Sequence, residues 1–326
     1  MGAVVEQSMN KPIAFPALVE DEVVEITAKH GNLHAFSTRV GPRFYVVCAD
    51  ASAPAQSKRM GIDFWGGLSA ADVSSRATAL SVYNNCVAIA TISGSLVVGS
   101  MDRPIPAILH PGNIPRGCLS LVGEGMVASA VSGTQDKICI TTFDSHNADA
   151  MCEHEEPMFA VPNSLVASEE RVAVCDVSNS VSVFSLTRIR HDDGRTSHGL
   201  HLTHVLPCLL SVMSIRGNIL LVRDDDAASK VRVMGLKDNH ASELASIACN
   251  NADASHNCVA CIEESGGDPA LVMYRVSEEG GVYRQPPRRL SDIQVSSEQA
   301  LGFVVSLAGH RAVITSKSGP QMWVVS

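Results

Sequence analysis

Short runs of valine, isoleucine, leucine and alanine alternate with small polar turns, and the pattern returns about every 43 residues. This predicts an all-β fold, a seven-bladed β-propeller closed by an N-terminal strand. The runs have strand length, they come in threes joined by tight turns, and their spacing suits one four-stranded blade per group. Composition agrees with that class. Of 326 residues, 45% are hydrophobic but only 4% aromatic, so blades of this chain must pack through Val, Ile, Leu, Ala and Cys. No heptad or collagen-like period runs through it.

The elements follow in order. Residues 1–21 form an N-terminal extension, and residues 22–326 a single propeller domain. Glu22-Val23-Val24-Glu25-Ile26-Thr27 is a strand candidate ahead of the first unit. Ala79–Tyr83, Cys86–Ala90 and Leu96–Gly99 are joined by Asn84-Asn85 and Ser93-Gly94-Ser95, which reads as three antiparallel strands. The same grammar returns in CLSLV, MVASAV and KICITTF, in SLVAS, RVAVCDV and VSVFSL, and in LLSVMSI, ILLVRD and VRVMGL. Aligning the last inward-looking run of each unit centres the units near Asp63, Val97, Ile140, Val183, Val233, Met273 and Trp323. The chain ends directly after the last of these, so Val23–Thr27 is expected to pair as the outer strand of the terminal blade. That pairing would leave no sheet edge exposed. It predicts that removing the first 27 residues destabilises the opposite end of the sequence.

At this point the chain resembles the WD-repeat-like β-propellers over residues 22–326. Asp63-Phe64-Trp65 and Gln321-Met322-Trp323 partly match the Trp-Asp pair that ends such repeats, and Gly309-His310 falls between strands. The resemblance implies a fold and stops short of a function. It carries over no hydrogen-bond network to named residues.

Charge and motifs bound the function. With Lys plus Arg at 25 and Asp plus Glu at 34, the formal charge of −9 argues against a nucleic-acid backbone as the default partner, although contact through an assembly stays open. Met1–Pro16 lacks the basic start and apolar run of a secretory signal, and no window suits a membrane span. The ten cysteines sit mostly in apolar runs and read as reduced, buried thiols, which gives a cytoplasmic or nuclear address.

Three insertions, Ala51–Arg59, Arg188–His204 and Gly280–Glu298, are expected as loops on the faces or rim, where function is commonly grafted. The second holds His191, His198, His201 and His204, the last two spaced for one turn of helix. It is read as a polar loop and a candidate protein contact, with metal binding as the weaker alternative. The third holds Tyr283, Arg284, Arg288 and Arg289 around Pro286-Pro287, guanidinium groups suited to carboxylate or phosphate. These eight residues are the protein-interaction candidates. Cys258-Val259-Ala260-Cys261 has zinc or redox spacing, but in a strand its two sulfurs point to opposite faces. Asp224-Asp225-Asp226 lacks the spaced ligands and glycine of a calcium loop. There is no Gly-x-Ser-x-Gly elbow, phosphate loop or His-Glu-x-x-His. No catalytic, metal or cofactor residues are assigned. The leading expectation is a non-catalytic scaffold binding one or more proteins within an intracellular assembly, and the alternative is a propeller hydrolase or lyase with a central metal or carboxylate site.

Overall fold

The computed structural model describes residues 13–14, 23–31, 33–40, 43–50, 58–61, 77–102, 107–123, 125–144, 149–190, 192, 196–207, 209–224, 230–237, 240–249, 251–265, 268–289, 303–308, 311–316 and 321–325. These residues are organised as antiparallel sheets whose strands follow chain order. Six sheets are self-contained. The first comprises Val23–His30, Leu33–Val40, Arg43–Asp50 and Lys58–Gly61; the second Ala77–Tyr83, Cys86–Thr91, Leu96–Ser100 and Ala107–Leu109. The third comprises Leu119–Gly123, Met126–Val131, Lys137–Asp144 and Asp149–Pro157; the fourth Pro162–Ala167, Arg171–Asp176, Ser180–Arg190 and Thr196–Pro207. The fifth comprises Ser211–Arg216, Ile219–Asp224, Lys230–Lys237 and His240–Ala248. In the sixth, Ala252–Ala254, Cys258–Ser265, Asp268–Val276 and Val282–Arg284 are joined by Arg288–Arg289, which pairs with Asp268–Val276. The last sheet is composite: Phe303–Ala308, Arg311–Ser316 and Gln321–Val325 receive Ile13–Ala14 as their outer strand.

The expected seven-bladed propeller closed by the N-terminal strand Val23–Thr27 is therefore corrected to six complete blades. Val23–His30 is the first strand of the first sheet and pairs with Leu33–Val40, because a tight turn at Gly31 brings His30 back against Leu33. Six blades are complete in themselves, and the remaining sheet borrows two residues through Ile13↔Met322 and Ala14↔Gln321. No sheet is closed on itself by hydrogen bonds; every strand order is open. The first strands instead touch one another in succession around an axis, with Phe303–Ala308 meeting Val23–His30. Deleting residues 1–27 would thus remove an inner strand as well as the borrowed one.

Six of the seven aligned centres, Val97 to Trp323, lie in the third strand of their sheet. Asp63 does not, and lies outside the described residues; the third strand of the first sheet is Arg43–Asp50. The apolar run of that strand is Phe44–Cys48.

The apolar runs are continuous because middle strands are covered on both sides. Cys86–Thr91 is buried at every position. Alternation sends Val87 and Ile89 into a core shared with the first sheet, and Ala88 and Ala90 into one shared with the third and fourth. Arg171–Asp176 behaves alike, with Val172 and Val174 on one side and Ala173 and Cys175 on the other. Small residues let neighbouring sheets approach closely.

Between the third and fourth strands, the register slips at the same place in three consecutive sheets: Ile140/Thr141, Val183/Phe184 and Val233/Met234. One extra residue on the outer strand, Glu153, Thr203 or Leu244, is left without a partner in the register. Such a bulge turns the residues on either side of it toward a common face.

Candidate functional site

A first strand has one edge facing the axis, where the strands of the next sheet do not continue its ladder. Backbone N–H groups there need other acceptors. Side-chain oxygens supply them in sequence around the ring. Ser81 Oγ accepts from Leu121 N (2.8 Å), Ser120 Oγ from Ala167 N (3.2 Å), Ser164 Oγ from Val212 N (3.0 Å) and Ser214 Oγ from Ala254 N (3.4 Å). In the sixth sheet the acceptor is a carboxylate, with Asp253 Oδ2 taking Leu307 N at 2.9 Å.

Asp253 is buried and joins four sheets. Its Oδ1 accepts from Ser214 Oγ at 2.7 Å and lies 3.8 Å from Lys29 Nζ, while Lys29 also donates to Ala252 O at 3.4 Å and to Val305 O. Burial alone would raise this carboxyl group, but Lys29, Arg216, the Ser214 hydroxyl and the Leu307 N–H outweigh it and hold it below the usual range. The anion thus ties the first sheet to the end of the chain.

Above this layer, the ends of the first strands open into a cavity of about 390 Å³ to whose wall every sheet contributes, from His30 and Tyr83 to Arg216, His256 and Leu307. Arg216 Nη2 donates to His30 Nδ1 at 3.1 Å, and Nη1 contacts the carbonyls of Ile215 (3.2 Å) and Ala167 (3.4 Å). Burial, with the Arg216 charge adding to it, lowers His30 to about 4, so the imidazole is neutral and carries its proton on Nε2. The ring lies against Tyr83, centroids 4.2 Å apart, and Tyr83 Oη donates to Glu169 Oε1 at 2.8 Å. Among the described residues, no carboxylate is within ion-pair distance of Arg216, and no serine, threonine or cysteine is hydrogen-bonded to His30. The mouth presents a guanidinium and a neutral imidazole, groups that can bind an acidic or polar moiety. Among the described residues, no serine, threonine or cysteine nucleophile linked to a base lines it.

The sequence-derived candidates occupy the rim and do not converge. Arg188–His204 is no loop: it belongs to a long hairpin in which Ser180–Arg190 pairs with Thr196–Pro207, so the helical spacing of His201 and His204 does not apply. His191 lies outside the described residues. His198 is bound to Glu153 of the third sheet, Nδ1 and N both meeting Oε2 at 2.8 and 3.0 Å, while Thr142 Oγ1 holds Oε1 at 2.9 Å. His201 is exposed on the opposite face of the strand from His198. His204 is buried beside Thr203 Oγ1 at 2.9 Å, and burial lowers its pKa.

The basic segment likewise forms strand rather than loop. Arg284 pairs with Glu263 at 2.8 Å, and Tyr274 Oη donates to the same carboxylate. Arg288 and Arg289 are exposed and pair with Leu271 and Ala270, and Tyr283 is exposed as well. Asp224 closes a strand and is held by Arg232 Nε at 2.7 Å; Asp225 and Asp226 lie outside the described residues. Cys258 packs with Ala260 and Ile262, and Cys261 with Val259 on the other side of the strand, so the Cys-x-x-Cys pair is split between two cores.

The channel residues left a signal in the sequence that motif reading does not weigh. A Ser or Asp interrupts the first strand of five sheets, at Ser81, Ser120, Ser164, Ser214 and Asp253. Thiols also divide into two kinds. Burial pushes Cys118 up to about 12 and Cys175 up to about 11, whereas the hydrogen bond from Cys139 brings the exposed Cys152 down to about 7.

The other end of the strands carries exposed apolar side chains. Phe159 is fully exposed, Val177 N donates to Val161 O at 2.9 Å, and both valines are exposed. Ile92, in the turn after the second strand of the second sheet, is 66% exposed at the same end.

No family model matches the sequence, and no curated protein matches it. Solved structures do. The chain is similar to a structure of the Mitotic Checkpoint Complex (TM-score 0.58, 11% identity, 99% of this chain and 94% of that one), to the RRP9 WD40 repeats (0.57, 9%, 96% and 96%), and to the WD40 domain of Toxoplasma gondii coronin (0.56, 10%, 96% and 85%). A prolyl endopeptidase structure is similar too, over 46% of its own length (0.54, 12%), so the likeness speaks for fold. The chain is a divergent β-propeller that resembles the WD40-repeat propellers.

Proposed function

We propose that this propeller is a non-catalytic scaffold, a subunit of an intracellular protein assembly, with its principal contact on the end of the ring that bears Phe159, Val161 and Val177. The supporting observation is the exposure of these three side chains beside one another, Phe159 without any cover. Large apolar groups grouped on a soluble domain mark protein contacts, and aromatic residues commonly anchor them. An apolar segment of a partner protein suits this surface. Exposed Tyr283, Arg288, Arg289 and His201 are secondary rim contacts in this reading, whereas His198 and Arg284 are held by carboxylates of the fold. His204 is buried, and His191 has no described surroundings. Of the similar structures, one is the Mitotic Checkpoint Complex, in keeping with a scaffold role in the cytoplasm or nucleus.

Affinity isolation from native extract at moderate salt tests this, with wild type compared with the Phe159→Asp/Val177→Asp double variant. A stoichiometric partner recovered by wild type and lost from the variant, at unchanged melting temperature, is the expected result. Recovery of the same partner by both proteins would overturn the assignment of the contact. Absence of any partner under all conditions would overturn the scaffold reading.

A further inference from the structure

The bulge shared by the third, fourth and fifth sheets gathers three side chains on one face: one from the third strand, and two from the fourth strand that bracket the extra residue and its neighbour. In the fifth sheet two of these places hold Arg232 and Glu243, whose Nη1 and Oε2 are 3.7 Å apart. In the fourth they hold Ser182, Leu202 and Val205. In the third they hold Cys139, Cys152 and Glu155, and the two sulfurs and a carboxylate oxygen all lie within 4.8 Å of one another. Glu153 and His154 are turned to the opposite face, where Glu153 meets Thr142 and His198. Fold geometry therefore makes the cluster, and only this sheet fills it with metal-ligating groups among the described residues.

We propose that Cys139, Cys152 and Glu155 form a binding site for a borderline-soft divalent cation of the zinc class, with a fourth position open to water. Two thiolates on one tetrahedral zinc ion stand about 3.8 Å apart at Zn–S lengths of about 2.3 Å, so the observed cluster needs little closure. A carboxylate completes a three-ligand set of a kind that leaves one position to solvent. Thiolate ligands select this class over magnesium or calcium, which take oxygen. Cys139 is buried and fixed by the sheet, while Cys152 and Glu155 are exposed and give the ion a way in. Lys137 Nζ, 2.6 Å from Glu155 Oε1, orients the carboxylate and offsets one negative charge of the loaded site. A direct disulfide suits the place less well. The two cysteines are diagonal neighbours across the bulged strand pair, and both thiols are free.

The test uses the full chain, reduced with a phosphine, titrated with Co²⁺ and followed by absorption. A saturable one-to-one complex with sulfur-to-cobalt charge-transfer bands, displaced by equimolar Zn²⁺, is expected. Cys152→Ser should lose the bands and weaken binding by about 100-fold, and Glu155→Gln by about tenfold. Cys258→Ser, in another sheet, should leave both unchanged. Both test residues are exposed, and circular dichroism checks that the variants fold. Absence of saturable binding in reduced wild type, or charge-transfer bands that survive in Cys152→Ser, would overturn the site.

Discussion

The two ends of the ring solve opposite problems with the same strands. At the channel mouth and in the layer beneath it charged and polar groups are paired: Arg216 with His30, Tyr83 with Glu169, Lys29 with Asp253. At the other end Phe159, Val161, Val177 and Ile92 stand in solvent with little apolar cover. The first arrangement holds the inner strands together where their ladder hydrogen bonds stop. The second adds nothing to that task, because its side chains lie outside the inter-sheet cores. Stability should therefore be concentrated at the channel, and partner contact at the apolar end.

The sharpest way to break this division is Asp253→Ala. It leaves the Leu307 N–H without its acceptor and removes the Lys29 counter-charge, and should cost about 3 kcal/mol in urea unfolding. A loss no larger than that of a surface substitution would show that the channel network is dispensable.

Acid should act on the same region. His30 and His34 are held at about 4 and about 3 in the folded chain, both chiefly by burial, so between pH 6.5 and 4 the unfolded chain binds protons that the native one refuses. Stability should fall as pH drops through that window, by up to about 1.4 kcal/mol per pH unit for each histidine. Asp253, depressed below its ordinary value, adds a further loss only below about pH 4, where the unfolded carboxylate takes its proton first. Denaturant midpoints measured from pH 7 to 4 check the sign; a flat profile would contradict burial of both imidazoles.

Gly217→Ala probes the mouth itself. Gly217 has φ +54°, and an added Cβ would stand 2.9 Å from His256 Nδ1, so a cost of about 1–2 kcal/mol is expected in thermal melts. Phe159→Ser should move stability by less than about 0.5 kcal/mol while weakening partner capture, the inverse signature. Reversal of Arg288 and Arg289 to glutamate should leave the melting temperature unchanged, since both are exposed.

Much of the architecture was legible because burial on both sides of a middle strand writes a continuous apolar run, as in CVAIAT and RVAVCD. Outer strands were not. Asp149–Pro157 and His240–Ala248 read AMCEHEE and HASELASI, polar on the side that meets water and short of the apolar run that marks a strand. The long hairpin ending near His204 reads as a loop for the same reason. Val23–Thr27 looked available to the last sheet because alternation reveals a strand and says nothing of its partner. The central residues escaped because each contributes one polar side chain from a different sheet, with no shared motif.

By itself the sequence determined that the chain is all-β, repeated, and packed by small aliphatic side chains, since those properties follow from local alternation and turn residues. Only the tertiary structure decided which sheet takes Val23–His30, that Asp253 ties four sheets together, and that Cys139, Cys152 and Glu155 meet across a bulge. Each of those depends on pairing register and on contacts between residues distant in the chain, which alternation along a single strand does not specify.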